Sequence, residues 1–234
     1  MVNYYGQQAE DYVLWSLFPN KRSGFFVDVG AFDGSQYSNT LSFEEQGWTG
    51  ICIEAHPDYL KYLRKNRPNS IIVHAAVADQ DKDSTTFYAN ECGVFSSLDR
   101  STEAHFRKKF PKYFTGYTPI EVPMCTINTV LERHSISSVD LVSIDIEGTE
   151  LTALKGFDLI KYKPRVLVIE AMGQARKNNL IKYLKRFGYM LAREHSGNYF
   201  FCHNIQDAKM VKEVKPRNAR NNLIHTKHPL KRYR

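Results

Sequence analysis

Long apolar runs are missing from this 234-residue chain, and none approaches the roughly 18 residues that a membrane-spanning helix requires. The opening Met1-Val2-Asn3-Tyr4-Tyr5-Gly6 also lacks the apolar centre of a signal peptide, so a cytoplasmic protein without a transmembrane segment is expected. Cysteine is sparse. Cys52, Cys92, Cys125 and Cys202 form no C-x-x-C pair, so neither a zinc cage nor a thioredoxin-like redox motif can be drawn from them, and a reducing compartment suits them. Internal repeats and low-complexity tracts are absent. With 42% hydrophobic and 24% charged residues, the chain is neither disordered, nor a fibre, nor a disulfide-stapled miniprotein. One soluble domain with a substantial core remains.

The net charge of +7 resembles a nucleic-acid signal until it is located. Residues 209–234 hold nine Lys or Arg and one acid, Glu213, whereas residues 1–208 carry a net charge of −1. The expected organisation is therefore a neutral domain over 1–208 and a basic C-terminal tail over 209–234. That tail, with Pro216, Pro229 and few apolar residues, reads as a mobile or loosely docked extension that keeps the protein soluble or contacts a polyanion.

Within the body, extended apolar segments alternate with helical patterns. Gly24 to Gly30, Gly50 to Glu54, Ser70 to His74, Val139 to Ile144 and Arg165 to Ile169 read as strands, with helical stretches between them and a leading helix over Ala9, Tyr12, Val13 and Leu17. Such β-branched runs joined by helices predict an α/β, doubly wound, mostly parallel sheet covered on both faces. Tyr189 to Arg193 and Tyr199 to His203, separated by Ser196-Gly197-Asn198, predict an antiparallel C-terminal hairpin. Between about 80 and 126 the pattern loosens. There Phe106, Phe110, Tyr113, Phe114 and Tyr117 alternate with Arg107, Lys108, Lys109 and Lys112, which suits a lid, an acceptor-binding insertion or a half-buried cover.

Open α/β sheets bind ligands at the carboxyl ends of their strands, which directs attention to the first strand–turn–helix junction, Asp28-Val29-Gly30-Ala31-Phe32-Asp33-Gly34-Ser35. Gly30 and Gly34 permit a tight turn and close approach of a ligand. Asp28 and Asp33 would repel a pyrophosphate, and Phe32 stands where a nicotinamide enzyme has its second glycine. A cationic ligand without phosphate, S-adenosylmethionine, fits better. Glu54 closes the second strand 24 residues after Gly30, where an acid accepts hydrogen bonds from both ribose hydroxyls, with Ala55 beside it. After the third strand, Ala76 offers a small surface for adenine and Asp79 an acceptor for its amino group.

Together these residues carry a resemblance. Phe25 to Ala31, Ser38-Asn39-Thr40, Gly47-Trp48-Thr49-Gly50 leading to Glu54, and above all Ile144-Asp145-Ile146-Glu147-Gly148-Thr149-Glu150-Leu151 with Lys155-Gly156 are similar to the FkbM-type family of class I S-adenosylmethionine-dependent methyltransferases. The resemblance implies a Rossmann-like methyltransferase sheet and transfer of a methyl group to oxygen, often a hydroxyl of a sugar or natural product. It places Asp28, Gly30 and Glu54 at cofactor positions. Asn39 matches a motif position, and Ala31, Gly34 and Ser35 complete the cofactor turn.

A sugar hydroxyl is a poor nucleophile near neutral pH, so a base or a divalent cation must act on its proton. Asp145 and Glu147 leave the fourth strand at its carboxyl end and Glu170 leaves the fifth, so all three meet at the rim where the methyl is offered. Asp145 and Glu170 are the expected catalytic acids. Clustered carboxylates repel one another unless protons or a cation sit between them, and Asp145, Glu147 and Glu170 are hard oxygen ligands suited to Mg²⁺ or Mn²⁺. His195, beside the hairpin turn, is the alternative catalytic base, and Asn198 a group that orients the acceptor. The leading expectation is an O-methyltransferase acting on a sugar, glycan or glycosylated small molecule. An RNA or cap methyltransferase using the basic tail, and a non-catalytic cofactor-binding scaffold, are the alternatives.

Overall fold

The structure is a computed structural model that describes residues 2–224. A short helix α1 (Glu10–Trp15) precedes β1 (Phe25–Val29), α2 (Leu41–Glu45), β2 (Thr49–Glu54), α3 (Leu60–Asn66) and β3 (Ser70–His74). Next come β4 (Ala76–Val77), β5 (Lys82–Ala89), α4 (Thr102–Lys109), β6 (Thr118–Cys125) and α5 (Ile127–Arg133). The chain then forms β7 (Leu141–Ile144), α6 (Glu150–Lys155), β8 (Val166–Glu170), α7 (Gly173–Lys185), β9 (Met190–His195), β10 (Asn198–Cys202) and α8 (Ile205–Glu213).

Seven strands make the main sheet in the order β3-β2-β1-β7-β8-β10-β9, the first five parallel and β10 antiparallel to both its neighbours. The order reverses beside β1, which opens a crevice at the carboxyl ends of β1 and β7. Register makes that crevice specific. Val29 pairs with Ile53 and with Ile144, and Ile144 with Ile169, so the next residue of each strand falls in one row: Gly30, Glu54, Asp145 and Glu170. Four separate stretches of sequence thus deliver their chemistry to one edge. The doubly wound sheet and the C-terminal antiparallel hairpin are as the sequence leads one to expect.

Alternation along the strands fills both faces. Val27, Val29, Ile51, Ile53, Val142 and Ile144 pack on one side, and Phe26, Cys52, Leu141, Val168 and Phe200 on the other. Asp28 shares the second face, where a buried carboxylate needs a partner. Arg67, at the end of α3, supplies it. Its side chain is fully buried, donates to Glu44 Oε2 at 2.6 Å, Thr40 Oγ1 at 2.9 Å and Ser38 Oγ at 3.2 Å, and lies 3.7 Å from Asp28 Oδ2. The four cysteines are buried and unpaired. Among the described residues, no helix is long and apolar enough to cross a membrane.

The loose segment at 80–126 forms a second, three-stranded sheet in the order β4-β6-β5, already begun at Ala76. Its own apolar clusters contain Phe87, Val122 and Met124, and Phe95, Phe106 and Phe114. The sequence boundary at 208 needs correction, because α8 runs through it. Val211 is fully buried, Ala219 is 2% exposed, and backbone bonds tie Tyr4 to Asn222 (2.9 Å) and to Ile224 (2.7 Å). Basic composition hid this docking, since the apolar positions are few and their partner, Tyr4, stands at the other end of the chain. Residues 225–234 of the expected tail lie outside the described residues.

Removing Arg67 would strand Asp28 and Glu44 in the core. Arg67→Ala is expected to lower unfolding free energy by about 3–5 kcal/mol, measured as a reduced urea midpoint. An unmoved midpoint would show that the network is not holding the β1 turn.

Candidate active site

The crevice is a cavity of about 430 Å³, within the size range of small-molecule sites. Its floor begins at Gly30, whose φ of +83° is the left-handed region and whose absent Cβ would stand 1.8 Å from the Asp145 carbonyl oxygen. Gly30 and Ala31 both donate backbone N–H groups to the Ile53 carbonyl, at 2.9 and 3.1 Å, locking the turn to β2. Of the residues expected at the cofactor, Asp28, Gly30, Ala31, Asn39, Glu54, Ala55 and Ala76 line the cavity.

Gly34, Ser35 and Asp79 do not. Gly34 has φ +78°, and a Cβ there would also meet Arg67 Cγ at 2.5 Å, so this glycine makes room for the buried arginine and not for a ligand. Ser35 donates its N–H to Asp33 Oδ1 at 2.8 Å as the turn folds inward. Asp79 is exposed beyond the strand end. The charge argument moves as well. Asp33 is buried and accepts from the N–H groups of Ser35 and Gln36, while Asp28 accepts from Thr40 Oγ1 at 2.6 Å and faces Arg67. Both are bound up with the scaffold, although Asp28 also borders the cavity, so the acids left to meet a ligand are chiefly others.

Glu54 is the first of these. Its Oε2 accepts from Phe32 N–H and its Oε1 from His56 N–H, each at 2.7 Å, and burial pushes its pKa up to about 7. Each oxygen retains a lone pair, so two vicinal hydroxyls can still be accepted. Nearby, Phe32 packs on Tyr59 with centroids 4.4 Å apart, and Gly93, at φ +77°, closes over both rings. Ala55, Ala76 and Phe87 give the adjoining wall an apolar surface suited to a flat base. Gln36 touches the same cavity, is 3% exposed, and leaves both amide atoms without a partner among the described residues. A carbonyl acceptor and an amide donor together suit the ammonium and carboxylate of an amino-acid moiety. The residues therefore fit S-adenosylmethionine group by group.

Asp145, Glu147 and Glu170 are brought together as expected, with one carboxylate oxygen of each within 4.8 Å of the others. Asp145 opens into the cavity yet is enclosed by protein, so its pKa lies well above the carboxylate range, raised further by the charge of Glu170 and by their shared hydrogen bond. That bond lowers Glu170, which burial and Glu147 nonetheless push up to about 7. Both acids of the pair are therefore held above the ordinary carboxylate range, Asp145 the more strongly. Glu147 is raised well above its ordinary value by burial, then by Asp145 and Glu150. Its φ of +56° is strained for a side-chain-bearing residue, and its carbonyl accepts from Ser97 Oγ at 2.9 Å. Glu150 instead closes the loop, accepting from Gly148 N–H at 2.6 Å.

His195 is not among the residues lining the cavity. Edge strand β9 turns its ring toward the N-terminal loop, Nε2 lying 3.1 Å from the Gln8 carbonyl oxygen, whereas Ser196 and Asn198 of the same hairpin do reach the wall. Sequence reasoning missed Arg67, Gln36 and Glu10. Only Glu10 carried a signal, as an acid on the inward face of the leading helix.

The strand order and the acid-lined crevice at its reversal are those of a Rossmann-like, S-adenosylmethionine-dependent methyltransferase. The methyltransferase FkbM domain family matches residues 28–191, well over half the chain, and the protein belongs to that family. No curated protein matches the sequence. Similar solved structures include precorrin-6y C5,15-methyltransferase from Geobacter metallireducens GS-15, with 15% identity, TM-score 0.45, and 83% of this chain and 86% of that one covered. Aeropyrum pernix fibrillarin, in complex with natively bound S-adenosyl-L-methionine, has 14% identity, TM-score 0.42 and coverage of 82% and 71%. The human methyltransferase 10 domain containing protein has 11% identity, TM-score 0.44 and coverage of 83% and 81%.

The acids predict a pH dependence of stability. Unfolded carboxyls ionise near about 4, whereas Glu54, Glu170 and the also buried Asp11 hold their protons to about 7 in the fold. Between those values the native state binds more protons, so stability present at low pH drains away as pH rises through about 7. Thermal melting of the ligand-free protein should show Tm falling from pH 5 to pH 8. A Tm that climbs over that interval would contradict the acid assignments.

Proposed function

We propose that this protein transfers a methyl group from S-adenosylmethionine to a hydroxyl of a sugar, glycan or glycosylated small molecule, with Glu170 accepting the hydroxyl proton. The observation that carries this reading is the meeting of Asp145 and Glu170 at the cavity, their carboxylate oxygens within 4.8 Å of one another, with burial pushing Glu170 up to about 7. A base with that pKa is matched to work at neutral pH. When bound, S-adenosylmethionine supplies an electrophilic methyl on its sulfonium. Glu54 would hold the ribose and Gln36 the amino-acid end of the cofactor, and Asp145 fixes the orientation of Glu170.

The cover supports a sugar acceptor. α4 and the segment after it bring Phe106, Phe110 and Tyr113 to the same cavity; Phe106 is buried and Phe110 stacks on Phe95, so Tyr113 is the exposed ring there for the C–H surface of a sugar. The cover is pinned to the rim by Arg176 on α7, which bonds Asp99 at 2.8 Å, and by Ser97 on the Glu147 carbonyl.

The tight grouping of three carboxylates favours a variant of this reading, in which Asp145, Glu147 and Glu170 hold Mg²⁺ or Mn²⁺. Such an ion would acidify a bound hydroxyl and offset the mutual repulsion of the acids.

Incubation with labelled S-adenosylmethionine and a glycan library, followed by mass spectrometry, tests the acceptor class. A methylated sugar is expected. Cofactor binding without any product would instead support a non-catalytic scaffold, and a product on RNA alone would overturn the sugar reading. Glu54→Ala should weaken cofactor binding about tenfold or more by calorimetry. Glu170→Gln should spare that binding and cut kcat by about 100-fold or more. In the wild type kcat/KM should rise with pH and level off above about 7, because the base acts ionised. A rate unaffected by chelators would remove the metal, and a flat pH profile with an active Glu170→Gln would remove the base.

A further inference from the structure

One buried acid at the cavity has no part in the chemistry above. Glu10 opens α1, is 1% exposed, and forms part of the cavity wall together with Ser196, Asn198 and Glu170. The loop before it is shaped around this carboxylate. Ala9 takes φ +63°, a left-handed conformation, and a Cβ on Gly6 would stand 2.8 Å from Glu10 Oε2. Oε2 accepts the Gln8 N–H at 2.7 Å, which accounts for one oxygen. The other, Oε1, has Asn198 Nδ2 at 3.4 Å, longer than a well-formed hydrogen bond. Burial holds the Glu10 carboxyl above its ordinary pKa even though the N–H groups of Gln8 and of Glu10 itself, the nearby His195 and Asn198 all pull it down.

Register relates this oxygen to the reaction. Asn198 is the direct cross-strand partner of Glu170, so their side chains share a face of the sheet and stand about one strand spacing, roughly 4.8 Å, apart. Glu170, Asn198 and Glu10 therefore form a row of polar groups running from the proton acceptor to α1. Steps of that size are comparable with the separation of hydroxyls around a sugar ring. The row is also rigid. Asp11 accepts the Tyr5 N–H at 2.6 Å, and Tyr4 is bonded to Asn222 and Ile224, so both ends of the chain brace this wall.

We propose that Glu10 and Asn198 form a second acceptor subsite, which takes a hydrogen-bond-donating group, a hydroxyl or an ammonium, on a sugar ring carbon near the hydroxyl that is methylated. The proposal rests on the sugar-acceptor reading. Glu10 Oε1 accepts the donor and Asn198 orients it, so a polyhydroxylated ring is selected over a lone alcohol. Specificity follows because an acceptor lacking this donor leaves the buried oxygen with only its long contact to Asn198.

The test uses the full chain and a panel of hexoses, 6-deoxyhexoses, pentoses, amino sugars and their methyl glycosides, with the best-methylated member carried forward alongside its monodeoxy and deamino analogues. Wild type, Glu10→Gln and Asn198→Ala are compared for KM, kcat and S-adenosylmethionine Kd, with thermal melting as the check on folding. For Glu10→Gln, KM for the sugar should rise about tenfold or more, while the change in kcat and in cofactor Kd is small. Wild type should lose the same factor on one analogue, and Glu10→Gln should lose nothing further on it. Asn198→Ala, on the hairpin and away from the α1 loop, should show the same split if Glu10→Gln proves unstable. Unchanged KM in both variants, or a loss confined to Tm, overturns the subsite and leaves the methyltransferase reading intact. Failure of wild type to methylate any panel member, with cofactor bound normally, overturns the sugar reading and the subsite with it.

Discussion

Everything at the crevice depends on how closely β1 and β7 approach where the strand order reverses. At Gly30 the backbone passes so near the Asp145 carbonyl that no side chain fits, and the Asp145 N–H donates to the Val29 carbonyl at 2.9 Å. That contact joins the turn that would cradle a cofactor to the loop that bears the reactive acids. With one residue of register shift the row of Gly30, Glu54, Asp145 and Glu170 would break, since neighbouring residues of a strand face opposite sides. Geometry at this point comes from backbone packing, and the chemistry inherits it.

Charge is distributed to match. The acids on the scaffold side, Asp28 and Glu44, are compensated by Arg67 in a closed network of short hydrogen bonds. Among the described residues, those facing the cavity, Glu54, Asp145, Glu147 and Glu170, form no ion pair with an arginine and are held above the ordinary carboxylate range, Lys109 and Arg176 lowering Glu147 only in part. A region with that imbalance favours a ligand that brings positive charge, which a sulfonium and an ammonium do and a pyrophosphate does not.

Much of the fold was legible because its strands are buried on both faces and read as unbroken β-branched runs; Ser70 to His74 matches β3 residue for residue. The acids at strand ends were legible for the same reason, since a parallel sheet fixes which end of each strand meets the ligand. What escaped depends on tertiary packing. Gly34 looked like a ligand-facing glycine, but the bulk it avoids is Arg67, 33 residues away. His195 looked placed to reach the site, yet the edge strand presents it to the Gln8 carbonyl instead. Asp33 resembled a charge aimed at the ligand, whereas it caps its own turn. The cover between 76 and 125 pairs strands whose two ends lie far apart in sequence, so local pattern could not show its sheet.

The central claim is that one cavity binds the cofactor with its ribose on Glu54 and its reactive sulfur toward Asp145 and Glu170. A crystal structure with S-adenosylhomocysteine tests it most directly. The account predicts both ribose hydroxyls within hydrogen-bonding distance of the Glu54 carboxylate, the adenine against Ala55, Ala76 and Phe87, and the sulfur facing the carboxylate pair. A ligand bound elsewhere, or reversed with its adenine beside Glu170, would contradict it.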